Sequence, residues 1–171
     1  MELFEVFAAR HSIRAFTDQP VTGEILGKIL EAVNRAPSAG NLQAFDIYRV
    51  TKVEHKEALM SASHDQEFLV QAPVVLVFCA APARSAVRYN ERGVTLYCIQ
   101  DATIACTYVM LAATALGLGS VWVGAFDEEA VWKVIGAEPG QRPVAMLPIG
   151  YPNETPRIRP RRKLDNIVHS V

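Results

Sequence analysis

The longest apolar run in the sequence, residues 95–118, most constrains how this chain can fold. With more than 20 residues, it is long enough to cross a bilayer. However, Gln100 and Asp101 lie in its first turns, four threonines are spread along it, and lysine and arginine do not flank it asymmetrically. These features predict a long, almost wholly buried helix of a globular domain. In so small a domain, such a helix indicates the core of a dimer.

Composition points the same way. Half of the 171 residues are hydrophobic, and 17 basic residues balance 18 acidic ones. A domain of this size buries only about 70% of its unfolded surface, so apolar surface is left for contact with a second chain. The net charge of −1 provides no general attraction to nucleic acid or to an anionic membrane. We expect a single domain over residues 1–171, of which about 152–171 form a basic C-terminal tail.

Cysteine usage and the N-terminus bear on the compartment. Cys79, Cys98 and Cys106 form no CxxC pair and lie in apolar runs, where a free cysteine behaves as a small buried hydrophobe. The opening segment MELFEVFAARHSIR has early acidic residues and no apolar signal-peptide region. Both observations predict a cytoplasmic protein with no membrane contact.

Helices and strands are expected to be mixed along the chain, which indicates an α+β or α/β class. Thr22 is a candidate N-cap for a helix that ends near Ala36, because Pro37 disfavours helical geometry in its predecessor. Asp127 is a candidate N-cap for a later helix. The other predicted elements are helices at 2–10 and about 52–62, and strands at 44–50, 73–80, 120–125 and 142–152.

The common catalytic motifs are missing. The four histidines show no zinc-binding spacing, so no metal site is expected. There is no GxSxG elbow, and GLGSVWVG does not fit the dinucleotide-binding pattern GxGxxG. An enzyme without a recognisable nucleophile or metal depends on a bound cofactor for its chemistry.

Two clusters of basic residues suit a small anion. Arg10, His11, Ser12 and Arg14 place cations and a hydroxyl within five residues, as a phosphate group requires. Residues 157–163, RIRPRRK, form the second cluster. The alternative interpretation is a solvated helix end and a solvated tail. Nucleic-acid binding is not expected, because no aromatic residues interleave the second cluster.

A loop rich in amide and hydroxyl groups follows the second predicted helix. Ser38, Asn41 and Gln43 lie in a segment that Pro37 and Gly40 restrain, and they offer the donors and acceptors that the edge of a flat heterocycle needs. The alternative is an ordinary turn after a helix.

Four segments together resemble the FMN-dependent nitroreductase family, over essentially the whole chain. In order, they are RHSIRAFTDQPV, EILGKILEAVNRAPSAGNLQAF, GLGSVWVGAF and LPIGYPNETPRIRPRRKLDNIV. The resemblance implies an α+β sandwich, with a mixed central sheet flanked by helices. It also implies an intertwined homodimer that binds FMN at the subunit interface.

The resemblance implies a flavin site built from three parts of the chain. The phosphate and the pyrimidine side of FMN would contact Arg10, His11, Ser12 and Arg14, and Arg161 or Arg162 would complete the phosphate site. The neighbouring subunit would contribute Pro37, Ser38, Ala39, Asn41 and Gln43. The backbone of Val123 and Gly124 would face flavin N5, which carries the chemistry in place of a catalytic side chain.

The implied activity is reduction of FMN by NAD(P)H through hydride transfer to N5. The reduced flavin would then reduce a nitroaromatic, a quinone or a similar small acceptor in a ping-pong cycle. Two alternatives stay open: another flavin-using branch, such as dehalogenation or flavin breakdown, and a non-catalytic FMN-binding or redox-sensing module.

The sequence departs from the family pattern at three places. His11 stands where an arginine is frequent, and Ala44 and Phe45 replace a frequent Pro-Trp pair. The segment between Ala80 and Thr95 is short compared with the extra helices of longer relatives. We therefore expect a more open or differently covered substrate pocket.

Overall fold

A four-stranded sheet forms the centre of the computed structural model, which describes residues 1–171. Its strands are β1 (Phe45–Val50), β2 (Val74–Ala80), β3 (Gly119–Ser120) and β4 (Arg142–Gly150), in the spatial order β1-β2-β4-β3. All neighbouring strands pair antiparallel. The one parallel pairing is an isolated bridge between Ser12 and Ser120. The predicted α+β class is confirmed, and the sheet is mixed only at this bridge.

Seven α-helices surround the sheet. They are α1 (Leu3–Ala9), α2 (Gly23–Glu31), α3 (Val53–Ser61), α4 (Phe68–Gln71), α5 (Pro82–Arg92), α6 (Cys98–Ala115) and α7 (Glu128–Ile135). Short 3₁₀ turns occur at Ala32–Arg35, Ala39–Asn41 and Leu164–Asn166, and a π-helix at Gly93–Tyr97 joins α5 to α6.

Local capping explains where α2 and α7 begin. The Thr22 hydroxyl accepts a hydrogen bond from the backbone N–H of Ile25 at 3.3 Å. The Asp127 carboxylate accepts one from the N–H of Ala130 at 2.9 Å. Each bond satisfies a backbone donor that has no partner within its helix. Both predicted N-caps are therefore confirmed.

The core lies on both faces of β2, whose seven residues are all buried. On one face Leu76 and Phe78 belong to a cluster that includes Val109 of α6. On the other face Val75 belongs to a cluster that includes Leu59 of α3 and residues of α7. A strand covered on both faces is apolar at every position, which explains the continuous apolar run at 73–80.

Helix α6 differs from its prediction in length and burial. It begins at Cys98 because residues Gly93–Tyr97 form the π-helix, and nine of its 18 residues are buried. On its other side Tyr108 is 36% exposed, and Leu116, which follows the last residue of the helix, is 40% exposed. The prediction of an almost wholly buried helix is therefore wrong for the single chain, because the sheet covers only one side of α6.

The helical segment from Pro82 to Ala115 is long enough and apolar enough to span a bilayer, judged by length and composition alone. The core helix of a globular domain passes the same test, and 44% of the apolar window is buried inside this fold. The buried side of α6 packs against β2 and β4.

Two segments differ from the sequence-based expectations. The segment after Ala80, for which no element was expected, forms α5. The strand expected at 120–125 is shorter, because β3 ends at Ser120 and the chain rejoins β4 only at an isolated bridge between Val123 and Met146.

Candidate functional site

The segment that follows α1 runs alongside the edge strand β3. The backbone N–H of Ile13 donates to the carbonyl of Ser120 at 3.0 Å, and the Ile13 side chain packs over Gly119, where an added Cβ would lie 2.8 Å from it. Ile13 is buried, whereas Ser12 and Arg14 are not. Because side chains alternate along an extended chain, burial of Ile13 turns Ser12 and Arg14 away from the core.

A cleft of about 770 Å³ lies at this segment and is lined by both ends of the chain. We call it the arginine cleft. Its polar lining consists of Arg10, His11, Ser12, Arg14, Glu154, Arg157, Arg159 and Arg161. The two basic clusters of the sequence thus meet in one place, although residues 10–14 and 157–161 are far apart along the chain.

The structure distinguishes the two tail arginines that the sequence left open. Arg161 lines the arginine cleft. Arg162 does not, since its guanidinium donates to the backbone carbonyl of Asn166. Arg157 and Arg159 also line the cleft and were missed as site residues. Their spacing was the available signal, because positions two apart lie on the same side of an extended chain.

The charges of the arginine cleft fit a phosphate group. Five guanidinium groups line it, against a single carboxylate, that of Glu154. The backbone N–H of Arg14 donates a hydrogen bond to that carboxylate. A phosphate monoester carries about −1.5 to −2 charges at neutral pH, and arginine binds its oxygens in bidentate geometry. The donor set therefore suits the phosphate end of FMN.

Residues 37–43, which we call the amide loop, lie outside the arginine cleft. Three of them have positive φ angles: Gly40 at 56°, Asn41 at 57° and Gln43 at 49°. The Ser38 hydroxyl accepts a hydrogen bond from the N–H of Gln43 at 3.0 Å. Non-glycine residues rarely adopt this conformation without support from their surroundings, so the loop is held in a defined shape at an energetic cost.

Asp101 supplies much of that support. Its carboxylate is 1% exposed and accepts hydrogen bonds from the N–H groups of Ala39, at 2.9 Å, and Ala44, at 3.3 Å. One carboxylate in the first turn of α6 therefore fastens both ends of the amide loop. From the sequence, Asp101 was evidence only against a membrane span, and its contact with the amide loop was not predicted.

Arg84 of α5 holds the far end of the amide loop from outside. Its guanidinium donates to the carbonyl oxygens of Gln43 at 2.6 Å and Phe45 at 2.9 Å. It also forms an ion pair with Asp46 at 3.2 Å. The segment after Ala80, which the sequence left without an element, therefore packs beside the predicted flavin loop.

Other predicted site residues lie apart from the arginine cleft in the single chain. Ala39 lines a second cavity of about 500 Å³, together with α6 residues that include Ile99 and Ile104. Val123, which forms the bridge to Met146 of β4, is buried, and Gly124, the next residue, is exposed. A Cβ at Gly124 would lie 2.9 Å from the indole nitrogen of Trp122, so a side chain there would displace that ring.

None of the three cysteines is a nucleophile in this structure. All are buried and free. Burial raises the pKa of Cys79 to about 12 and also raises the pKa values of Cys98 and Cys106. The reactive form of cysteine is the thiolate, so these thiols stay unreactive at neutral pH. No group of three or more His, Cys, Asp or Glu side chains is arranged to hold a metal ion.

Comparison with known proteins gives consistent matches. A family model described as "Nitroreductase family" matches residues 7–67 and 55–151. The NADPH-flavin oxidoreductase of Vibrio harveyi is 31% identical over 96% of this chain and 72% of that protein. An FMN reductase [NAD(P)H] of Bacillus subtilis is 30% identical over 98% of this chain and 73% of that protein.

A solved structure agrees with this fold. The NADPH:FMN oxidoreductase of Vibrio harveyi, complexed with NAD⁺, superposes with a TM-score of 0.90 at 29% identity. The match covers 98% of this chain and 76% of that one.

Proposed function

This chain belongs to the nitroreductase family, and we propose that it is an FMN-dependent oxidoreductase. In this reaction NAD(P)H reduces bound FMN, and the reduced FMN then reduces a nitroaromatic, a quinone or a similar acceptor. The observation that carries the proposal is the arginine cleft, in which both ends of the chain supply guanidinium groups suited to the FMN phosphate. The named activities of the Vibrio harveyi and Bacillus subtilis relatives support the same reaction.

The chain's own residues bind and orient the cofactor. Arg10, Arg14 and Arg161 hold the phosphate, and the Ser12 hydroxyl provides a further donor and acceptor beside it. When bound, FMN supplies the hydride-accepting and hydride-donating atom, N5. A guanidinium of the arginine cleft that reached the pyrimidine side of the flavin would stabilise negative charge there and so favour reduction. In the proposed reaction, no side chain is required as an obligatory acid or base.

We propose a homodimer with FMN at the subunit interface, and the separation of the two parts of the site within one chain supports it. Within one chain, Ala39 of the amide loop lines a cavity separate from the arginine cleft. In the proposed dimer, the second chain brings its amide loop to the cleft. The exposed side of α6 and the residue that follows the helix supply an apolar contact surface that includes Tyr108 and Leu116. Burying such a surface in a symmetric dimer removes it from water.

The dimer proposal is tested by mass and by substitution. Light scattering is expected to give twice the 18.8 kDa of one chain. Tyr108→Arg places a charge on the exposed side of α6 and is expected to shift the protein toward the monomer and to weaken FMN binding. Val53→Arg, at an exposed apolar position of α3, is the control and should leave both unchanged. A monomeric wild-type protein that binds FMN normally would contradict the proposal.

We further propose that residues 1–171 act as one domain whose tail, residues 152–171, takes part in the site through Arg161. The predicted cytoplasmic location is supported by the three free, buried cysteines, which suit a reducing compartment.

The reaction is tested by spectroscopy. The purified protein is expected to bind FMN and turn yellow, and NAD(P)H should bleach the flavin absorbance under anaerobic conditions. Menadione or a nitrofuran should then restore the colour. Turnover no faster than that of free FMN would favour the binding-module alternative, and product analysis after aerobic incubation would reveal flavin breakdown. A colourless protein that takes up no FMN would refute the proposal.

A further inference from the structure

A cluster of two arginines and two tyrosines lies where α5 meets the π-helix. We call Arg88, Tyr89, Arg92 and Tyr97 the α5 rim. The two tyrosine rings contact each other edge to face, with centroids 4.9 Å apart. The Arg88 guanidinium lies 5.5 Å from the Tyr89 ring centroid, and that of Arg92 lies 5.3 Å from the Tyr97 centroid. Arg92 Nε also donates to the Tyr97 hydroxyl at 3.0 Å.

The two guanidinium groups of the α5 rim have no carboxylate partner. The chain contains four ion pairs, and neither Arg88 nor Arg92 takes part in any of them. The neighbouring Arg84 differs, since it is paired with Asp46. Both rim arginines are exposed. Two exposed positive charges without a carboxylate partner therefore lie against two aromatic rings that contact each other, an arrangement that can receive an anion.

The backbone between the paired residues is strained. Asn90 has φ 49° and ψ −135°, a conformation that interrupts α5 and that non-glycine residues rarely adopt. The π-helix Gly93–Tyr97 follows directly. Strained residues and π-helical turns both concentrate at functional sites. Here the two irregularities separate Tyr89 from Tyr97 along the chain while bringing their rings into contact.

The α5 rim borders the amide loop. A Cβ on Gly40 would lie 2.6 Å from the Tyr89 hydroxyl and 2.9 Å from Arg88 Nη1, so the rim packs directly on the loop. Tyr97 lines the second cavity together with Ala39. Under the proposed function, the amide loop contacts the flavin ring, so the rim adjoins a part of the proposed flavin site.

We infer that the α5 rim binds the adenosine 2′-phosphate of NADPH and so makes this protein prefer NADPH to NADH. The inference rests on the proposed function. Two unpaired guanidinium groups complement a phosphate monoester with nearly two negative charges, whereas a carboxylate acceptor carries only one. The rim tyrosines and guanidinium planes offer surfaces on which adenine can stack. NADH lacks the 2′-phosphate and leaves both charges unpaired.

The test compares donors on the FMN-loaded protein. Arg88→Gln and Arg92→Gln are each expected to lower kcat/KM for NADPH by about 10- to 100-fold, the usual range for a charge-assisted hydrogen bond, and to change the value for NADH less than about twofold. Calorimetry with adenosine 2′,5′-bisphosphate should show the same loss of affinity, with 5′-AMP unaffected. Arg49→Gln, an exposed arginine on β1, is the matched control.

Each other result would overturn the inference. Equal losses for NADPH and NADH would assign the rim to support of the amide loop, and unchanged NADPH kinetics would mean that it binds no phosphate. A loss confined to a carboxylated nitroaromatic acceptor would make the rim an acceptor site. FMN uptake is measured for every variant by absorbance. Failure of the wild-type protein to bind FMN would refute the proposed function itself. A yellow protein whose donor preference is unaltered by the substitutions would refute only the inference about the α5 rim.

Discussion

Replacing Arg10 and Arg14 together by alanine is expected to weaken FMN binding by about 10²- to 10⁴-fold. A hydrogen bond to a charged group contributes about 1.5–3 kcal/mol, so the loss of two such groups amounts to about 3–6 kcal/mol. Both residues line the arginine cleft, and neither forms an ion pair with a carboxylate that would offset the loss. Titration of the apoprotein with FMN, followed by flavin fluorescence, measures the change.

Riboflavin and the tail arginines provide the controls. Riboflavin lacks the phosphate, so its weaker binding should change much less than that of FMN. Arg161→Ala is expected to weaken FMN binding, whereas Arg162→Ala is not, because Arg162 donates to the carbonyl of Asn166 outside the cleft. Equal effects on FMN and riboflavin would contradict the assignment of the arginine cleft to the phosphate.

The parts of the fold that the sequence predicted depend on interactions between residues that are close together along the chain. Thr22 and Asp127 cap the helices that follow them, and the apolar run at 73–80 is the strand covered on both faces. Each signal lies within a few residues of the structure it determines. Strand β1 follows for the same reason, since Phe45 and Ile47 alternate with Asp46 and Tyr48. Strand β4 begins at Arg142 as predicted and ends at Gly150, two residues before its predicted end.

The parts that the sequence did not predict depend on contacts between distant segments. Helix α5 is interrupted near its end by a strained Asn90, a conformation that local propensity disfavours. Close packing of Gly93 against Ser85 accompanies this irregularity. The burial of α6 was overestimated because composition cannot tell whether the sheet or a second chain covers an apolar side. Hydropathy indicates that α6 is apolar on more than one side. Only the fold shows that β2 and β4 cover one of these sides.

The candidate site likewise has parts that the sequence indicated and parts that it did not. The clusters at residues 10–14 and 157–163 indicated an anion site because their composition is local, and the structure brings them together in one cleft. The role of Asp101 left no such signal. An aspartate in the first turn of an apolar helix is compatible with solvation, with capping or with a distant partner, and only the tertiary structure shows that it accepts from Ala39 and Ala44.

Asp101→Ala is expected to lower the free energy of unfolding by about 2–6 kcal/mol. The substitution removes both acceptors from the N–H groups of Ala39 and Ala44, and each donor left unpaired on burial costs about 1–3 kcal/mol. Asp101→Asn keeps one acceptor oxygen and is expected to lose about half as much. Urea denaturation of the FMN-free protein, monitored by circular dichroism, gives the values from the shift of the midpoint at an unchanged slope.

A second effect distinguishes loop anchoring from a general loss of stability. If Asp101 fixes the amide loop for flavin binding, Asp101→Asn should weaken the binding of FMN and of riboflavin equally, because the loop contacts the ring and not the phosphate. Asp127→Ala removes the cap of α7, with an expected cost of about 0.5–2 kcal/mol, and should leave flavin affinity unchanged. Stability loss in both variants without a selective loss of flavin affinity in Asp101→Asn would restrict Asp101 to a structural role. Because the same carboxylate holds both ends of the loop, we expect stability and flavin affinity to fall together.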